Sequence, residues 1–346
     1  MPITRREFVH LGLGAAAAAS LAPLACADAA PAAAPVLGQG DFRYRLVPGW
    51  AQLAGVKVKN GHGLVFDKAG HLHFLTDHAQ NNLMVLDPKT GKVESQKNLG
   101  LTGGHGLSIV EEDGKEVLFM TCLETHRVLK TTLAGEVLME VGWPKESGKY
   151  KAAGEYHPSW TMHLPGGDFL VLDGYGKDYV IRYDKAGKFK AVFGGQEGGI
   201  PHWGPHAGIT DLSDPANPVL LIAMSDQQCL TRWTPDGKKL AQIDLPSTDP
   251  RTIEPLGDHW IMGTIGDQWP RSFTRPGYLS VLDKDFRIVS NIGGSAPVYK
   301  DGKLQPITAD GTFRHPHDMA VGPDGALYVG QFNSGDQPLL KLERVG

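Results

Sequence analysis

Four histidines stand at matching places in this chain, and imidazole can bind a metal ion or move a proton near neutral pH. They occur as Gly61-His62-Gly63-Leu64, Gly104-His105-Gly106-Leu107, Pro205-His206-Ala207-Gly208 and Pro316-His317-Asp318-Met319. Each is followed by an apolar run, a polar turn and a second apolar run. A fold that carries one repeat position to one axis would bring these rings together. A metal site is therefore the leading expectation.

The elements that must position the rings are short strands. The first unit runs from His62 through Leu75, continues at Asn82–Lys92 and ends on a polar strand near Val93–Leu99. Turn clusters recur at corresponding places, as Asp87-Pro88-Lys89-Thr90-Gly91, Asp184-Lys185-Ala186-Gly187, Thr234-Pro235-Asp236-Gly237 and Pro323-Asp324-Gly325. Such clusters between short alternating runs signal hairpins. Four repeats start at His62, His105, His206 and His317. Two more start near His157-Pro158-Ser159 and near Asp249–Thr252, fixed by the strands Asp168–Leu172 and His259–Gly263. A spacing of roughly 45 residues matches four-stranded propeller blades. The last repeat runs out after Leu339–Leu342, and Phe42–Val47 can supply its missing outer strand. The expected fold is all-β, a six-bladed β-propeller of four-stranded blades closed by an N-terminal strand in the last blade.

In a six-bladed ring the entrances of alternate blades lie about 120° apart. His105, His206 and His317 are such a set and can meet one cation from one side. Three protein ligands with an open position is the catalytic rather than the structural zinc arrangement. His62 falls outside that set and is expected to act as a partner behind the ligands, a substrate contact or a proton carrier.

The chain ends and composition bound the rest. Thr4-Arg5-Arg6-Glu7-Phe8-Val9 is a twin-arginine pattern, followed by a weakly apolar, alanine-rich stretch and small residues around Ala25-Cys26-Ala27. Residues 1–27 read as an export signal recognised by the twin-arginine machinery, which implies a periplasmic or secreted protein. The segment before Cys26 is a poor lipidation motif, so lipid anchoring is the weaker reading. Residues 28–38 read as an Ala/Pro-rich linker and 39–346 as the propeller. No run in the mature part is long enough for a membrane span. A net charge of −4 without a basic block argues against nucleic acid. A small molecule or a peptide is the expected partner. Cys122 and Cys229 fall in non-neighbouring repeats, which argues against a disulfide while leaving it open.

Gly104–Lys130, His157–Lys190 and Arg314–Gly330 are similar to peptidyl-α-hydroxyglycine α-amidating lyases, six-bladed propellers of the wider NHL-repeat type. The motifs that carry the likeness are His105-Gly106-Leu107-Ser108-Ile109, Asp173-Gly174-Tyr175, Pro205-His206 and Pro316-His317-Asp318. Blade one matches weakly. The resemblance implies a zinc ion on His105, His206 and His317, with Tyr175 as the base. It also implies a structural calcium held by Asp318 and by the carbonyl of Leu107, with Leu64 as a further carbonyl donor. Peptidyl-α-hydroxyglycine would then be split into a peptide amide and glyoxylate.

The departures concern substrate recognition. Of the two arginines that hold substrate in that family, one falls on Gln227 and the other within Leu75-Thr76-Asp77-His78, which has none. Arg127, Arg251, Arg271 and Arg314 are other available cations, and the sequence does not show which faces the channel. Tryptophans such as Trp203, Trp233, Trp260 and Trp269 read as blade packing. His71, His73, His126, His163 and His259 read as surface or packing residues in turns and outer strands, and His157 as loop packing. His202 and His315 flank entrances and are expected at the pocket mouth. Two other classes stay open: a metallohydrolase on the same histidine-lined channel, and a non-catalytic propeller that binds a partner.

Overall fold

A computed structural model describes residues 34–202, 204–266 and 274–346 of the chain. Six antiparallel sheets form six blades in chain order. From the inside outward, blade 1 is Gly61–Phe66, Leu72–Thr76, Leu83–Leu86 and Val93–Lys97. Blade 2 is Gly104–Glu112, Lys115–Cys122, Arg127–Thr132 and Val137–Val141. Blade 3 is Trp160–His163, Phe169–Leu172, Tyr179–Tyr183 and Phe189–Gly194. Blade 4 is Pro205–Asp211, Val219–Met224, Cys229–Trp233 and Lys239–Asp244. Blade 5 is Pro250–Leu256, His259–Thr264, Tyr278–Leu282 and Ile288–Ile292. Blade 6 takes Pro316–Val321, Leu327–Gln331 and Leu339–Arg344 from the C-terminal end.

The ring is closed by the N-terminal strand, as the sequence predicts. Tyr44, Arg45 and Leu46 pair with Arg344, Glu343 and Leu342. Val36–Leu37 adds one further strand at that edge, so the linker expected over residues 28–38 already enters the sheet near its end.

The middle strands are buried on both faces, whereas the outermost strands of blades 1 and 4 are largely exposed. Val93–Lys97, for example, leaves four of its five residues exposed. The core is accordingly divided into clusters between neighbouring blades. Leu75 and Leu83 meet Leu107, Leu118 and Met120 between blades 1 and 2. Phe119 meets Phe169 and Tyr183 between blades 2 and 3. Phe74 and Met84 meet Tyr328 and Leu339 where blade 6 returns to blade 1. Each such side chain stabilises the ring by about 1.5–3 kcal/mol when fully buried.

The turns do what their composition implies. Asp184 Oδ1 accepts the backbone N–H groups of Ala186 and Lys188 at 3.0 and 2.9 Å, and Gly187 takes a φ of 79°. Only glycine adopts that conformation without steric cost. Close approach along the axis sets the second glycine requirement. A Cβ on Gly106 would lie 2.5 Å from the carbonyl oxygen of Ser159 in the next blade.

Candidate metal centre and active site

Each inner strand begins where the ladder breaks. Pairing skips His62 between Gly61 and Gly63, His206 between Pro205 and Ala207, and His317 between Pro316 and Asp318. His105 and Gly106 are skipped in blade 2, as are Arg251 and Thr252 in blade 5. In blade 3 pairing starts at Trp160, immediately after Ser159. A bulge re-aims the side chain it releases. In blade order the ring positions are His62, His105, Ser159, His206, Arg251 and His317.

The four imidazoles come together. Ring centroids lie 4.6 Å apart for His105 and His317, 4.9 Å for His105 and His206, and 4.8 Å for His206 and His317. His62 is as close, at 5.1 Å from His105 and 4.5 Å from His317. Among the described residues, His62, His105 and His317 form a group whose ligand atoms all lie within 4.8 Å of one another. The alternate-blade set expected from the sequence thus gains His62 as an equal neighbour.

Three of the rings are held by the same device. Nδ1 of His105 donates to the carbonyl of Ser159 at 2.8 Å, and Nδ1 of His206 to that of Arg251 at 2.8 Å. Nδ1 of His317 donates to the carbonyl of His62 at 3.1 Å. Each acceptor is the ring residue of the next blade. A carbonyl only accepts, so Nδ1 carries the proton and Nε2 presents its lone pair to the axis. Burial, then the charges of His62 and of Arg251 among others, pushes the pKa of His105 and His317 well below 6.5. Both rings are therefore neutral at pH 7. Their Nε2 atoms lie 3.1 Å apart, which sets two lone pairs face to face. A cation between them removes that repulsion.

His62 is oriented differently. Its Nε2 lies 3.6 Å from Asp77 Oδ2, and its Nδ1 is buried without a hydrogen-bond partner. Asp77 also accepts the Asn60 backbone N–H at 3.0 Å and the Asn60 side-chain amide at 2.7 Å. Burial raises the Asp77 carboxyl, but His62, Asn60 and Lys59 outweigh it and hold the pKa down at about 2. A carboxylate behind a histidine fixes its orientation and raises its basicity as a ligand. Asp77 was missed in the sequence because blade one gives the weakest match.

Tyr175 reaches the same centre from the turn after Phe169–Leu172. Its hydroxyl lies 3.1 Å from His206 Nε2, and its ring centroid is 5.1 Å from that of His105. Because His206 Nδ1 is turned to the Arg251 carbonyl, Nε2 is the ring nitrogen that faces the Tyr175 hydroxyl. The turn is fastened by Asp173, which accepts the Tyr150 hydroxyl and the backbone N–H groups of His157 and Lys177, each at 2.7 Å. Burial raises the Asp173 pKa to about 7 against these three bonds.

One step further along the axis, Asp318 Oδ2 accepts the Leu64 backbone N–H at 2.7 Å. Its Oδ1 is buried without a partner, and burial lifts its pKa to about 7. Glu254 follows three residues after Arg251 and lines a 260 Å³ cavity that also touches Leu107 and Thr210. Burial, reinforced by the Asp318 charge, pushes the Glu254 carboxyl well above its ordinary range. The cavity residues follow the ring positions by one to six places in sequence, which sets this space along the channel from the histidines.

The remaining histidines divide. His126 and His157 are tied to backbone carbonyls at loops, at 2.7 and 3.0 Å. His202 bonds Asp178 at 2.8 Å, and His315 bonds the carbonyl of Phe332 at 3.1 Å. His73 is buried in blade 1 against Asp67 at 3.0 Å. His163 departs from expectation: it ends an inner strand, bonds Ser108 Oγ at 2.8 Å and lines the far cavity. Burial, then Lys130, lowers its pKa to about 4. Cys122 and Cys229 are free and buried. Gln227 donates to the His202 carbonyl at 3.1 Å. The export segment with Cys26, and Trp203, Trp269 and Arg271, lie outside the described residues. No helix among the described residues is long and apolar enough to cross a membrane.

No protein-family model and no curated protein matches the sequence. Solved structures of similar shape do exist. A streptogramin B lyase is 15% identical, with a TM-score of 0.57 over 87% of this chain and 97% of that one. Selenomethionine-substituted virginiamycin B lyase from Staphylococcus aureus is 12% identical, with a TM-score of 0.56 over 88% and 100%. Kuenenia stuttgartiensis hydrazine synthase is 13% identical, with a TM-score of 0.50 over 82% and 77%. At these identities the likeness establishes the β-propeller fold.

Proposed function

We propose that this protein is an exported, metal-dependent carbon–nitrogen lyase acting on an N-acylated α-hydroxy compound such as a peptidyl-α-hydroxyglycine. The observation that carries the reading is the pair of neutral imidazoles whose Nε2 lone pairs face each other at 3.1 Å. All-nitrogen imidazole donors suit zinc. His105 and His317 would hold the ion with His62, through its unpartnered Nδ1, which leaves His206 Nε2 to the Tyr175 hydroxyl. When bound, such an ion supplies Lewis-acid polarisation of a substrate oxygen.

The chain's own groups then have defined tasks. Tyr175, once its proton has passed to His206 along their 3.1 Å contact, is placed to accept the substrate hydroxyl proton. As the carbonyl forms, the neighbouring C–N bond breaks, and the amide nitrogen takes up a proton. Peptidyl-α-hydroxyglycine gives peptide amide and glyoxylate with atoms and charge balanced. Asp318, with the Leu107 carbonyl, would hold a structural calcium, for which the unpartnered Oδ1 is a suitable hard ligand. The shape shared with streptogramin B lyase is compatible with lyase chemistry. Residues 1–27 would direct export by the twin-arginine route, with residues 28–38 as a tether.

The test is glyoxylate release from α-hydroxyhippurate by the purified protein, repeated after chelation and zinc return. Activity that is lost and restored supports the reading. A metal-loaded protein without activity points to a hydrolase, and a metal-free, inactive one to a binding propeller.

A further inference from the structure

The ring contains one permanent cation. Arg251 occupies the blade 5 position and is 1% exposed. Its Nη2 donates to Asp249 Oδ2 at 3.0 Å, and Asp249 is steadied by the Ser225 hydroxyl at 2.9 Å. Arg251 Nε is buried and has no hydrogen-bond partner. Its backbone carbonyl receives the Nδ1 proton of His206, the ring that meets Tyr175. The Arg251 charge acts on both His105 and His317, so the guanidinium lies near the imidazole cluster, with one donor satisfied and another unused.

A buried charge with an unused donor is costly, and Asp249 answers only part of it. Guanidinium groups pair best with planar oxyanions through two donors. The other ring side chains are imidazoles and one hydroxyl, so Arg251 alone carries a positive charge at every pH. Gln227, the residue at one of the two expected arginine positions, is neutral and turned to the His202 carbonyl.

We propose that Arg251 determines specificity by binding the carboxylate of an anionic ligand at the level of the histidine ring. On the lyase reading, a ligand that meets both Arg251 and the Tyr175 hydroxyl carries its hydroxyl on the carbon next to the carboxylate. The substrate class is therefore an α-hydroxycarboxylate, with the bulky acyl group directed away from the ring. This deepens the lyase reading, but the anion contact belongs to the protein and does not require the metal.

Calorimetry with hippurate and with its neutral amide, hippuramide, tests the assignment on the purified full-length protein. The two probes differ only in the charged end. Wild type should prefer hippurate by roughly 10- to 100-fold, the range for one charge-assisted hydrogen bond. Arg251→Gln should remove the preference without changing metal content. Arg251→Lys keeps the charge, should give an intermediate preference, and serves if the glutamine variant does not fold. Equal binding of the two probes, no hippurate binding by folded wild type, or a preference that survives in both variants would overturn the proposal. A metal-free protein that still selects hippurate would remove the metal reading and keep Arg251. A metal-loaded protein without selection would do the reverse.

Discussion

Replacing Tyr175 by phenylalanine separates chemistry from structure, and the size of each effect can be worked from the contacts. The substitution removes one hydroxyl and leaves the ring, whose centroid lies 5.1 Å from that of His105. The hydroxyl bonds His206 Nε2 at 3.1 Å. One neutral hydrogen bond is worth about 0.5–1.5 kcal/mol net. In a domain of this size that moves Tm by only about 2–4 °C per kcal/mol. The turn itself is held by Asp173 and is untouched. Loss of a general base instead lowers turnover by about 10²–10⁴-fold, or roughly 3–5 kcal/mol of barrier. The assay is kcat and KM for α-hydroxyhippurate beside a thermal melt and metal analysis. A large fall in kcat with unchanged metal and near-native Tm is expected. A kcat within about threefold of wild type would refute the base role, since general bases contribute far more. A collapsed Tm would make Tyr175 a packing residue.

Other expectations follow from the same contacts. In metal-free protein the depressed pKa values of His105 and His317 mean that only the unfolded chain takes up protons just below pH 6.5. Their contribution to stability therefore falls on acidification, by about 1.4 kcal/mol per group per pH unit. Buffer-matched melts of the metal-free protein and of a His105→Asn, His317→Asn double variant should show the difference, and equal slopes would contradict it. The same depression weakens proton competition, so bound metal should be retained to a pH below the usual imidazole range, as read by dialysis and metal analysis. Gly106→Ala forces a Cβ to within 2.5 Å of the Ser159 carbonyl that orients His105, so metal affinity should drop. Loss of an orienting contact of this kind costs about 10- to 100-fold. Deleting residues 34–47 removes the strand paired with Leu342–Arg344 and should lower Tm and promote association through the opened edge. Size-exclusion chromatography would detect the latter, and a monomer with native Tm would count against ring closure.

Much of this architecture was legible because repeats, turns and ring positions share sequence signals. Glycine or proline precedes every ring residue: Gly61 and Gly104 in blades 1 and 2, then Pro158, Pro205, Pro250 and Pro316. Pro250-Arg251 carries that signal as clearly as Pro205-His206, without the histidine that makes the other entrances conspicuous. The grouping of His62 was illegible for a geometric reason. The 120° argument treats the rings as lying on a wide circle, where alternate blades are the natural partners. The bulges draw the imidazoles inward until adjacent blades can touch as closely as alternate ones, at 4.5 Å for His62 and His317 against 4.6 Å for His105 and His317. Asp77 and Glu254 carry no local motif. Their proximity to the channel arises from a loop and from the pitch of an inner strand, which only the assembled ring reveals. His163 was misplaced because a four-residue inner strand leaves little alternation to read.

The central claim is that the facing imidazoles bind a metal ion. Metal analysis with X-ray absorption on the purified protein measures it most directly. The account predicts about one equivalent of zinc with imidazole nitrogens at about 2.0–2.1 Å and no sulfur, lost in His105→Ala. A folded wild-type protein that takes up no divalent metal, or one whose metal survives in His105→Ala, would contradict it.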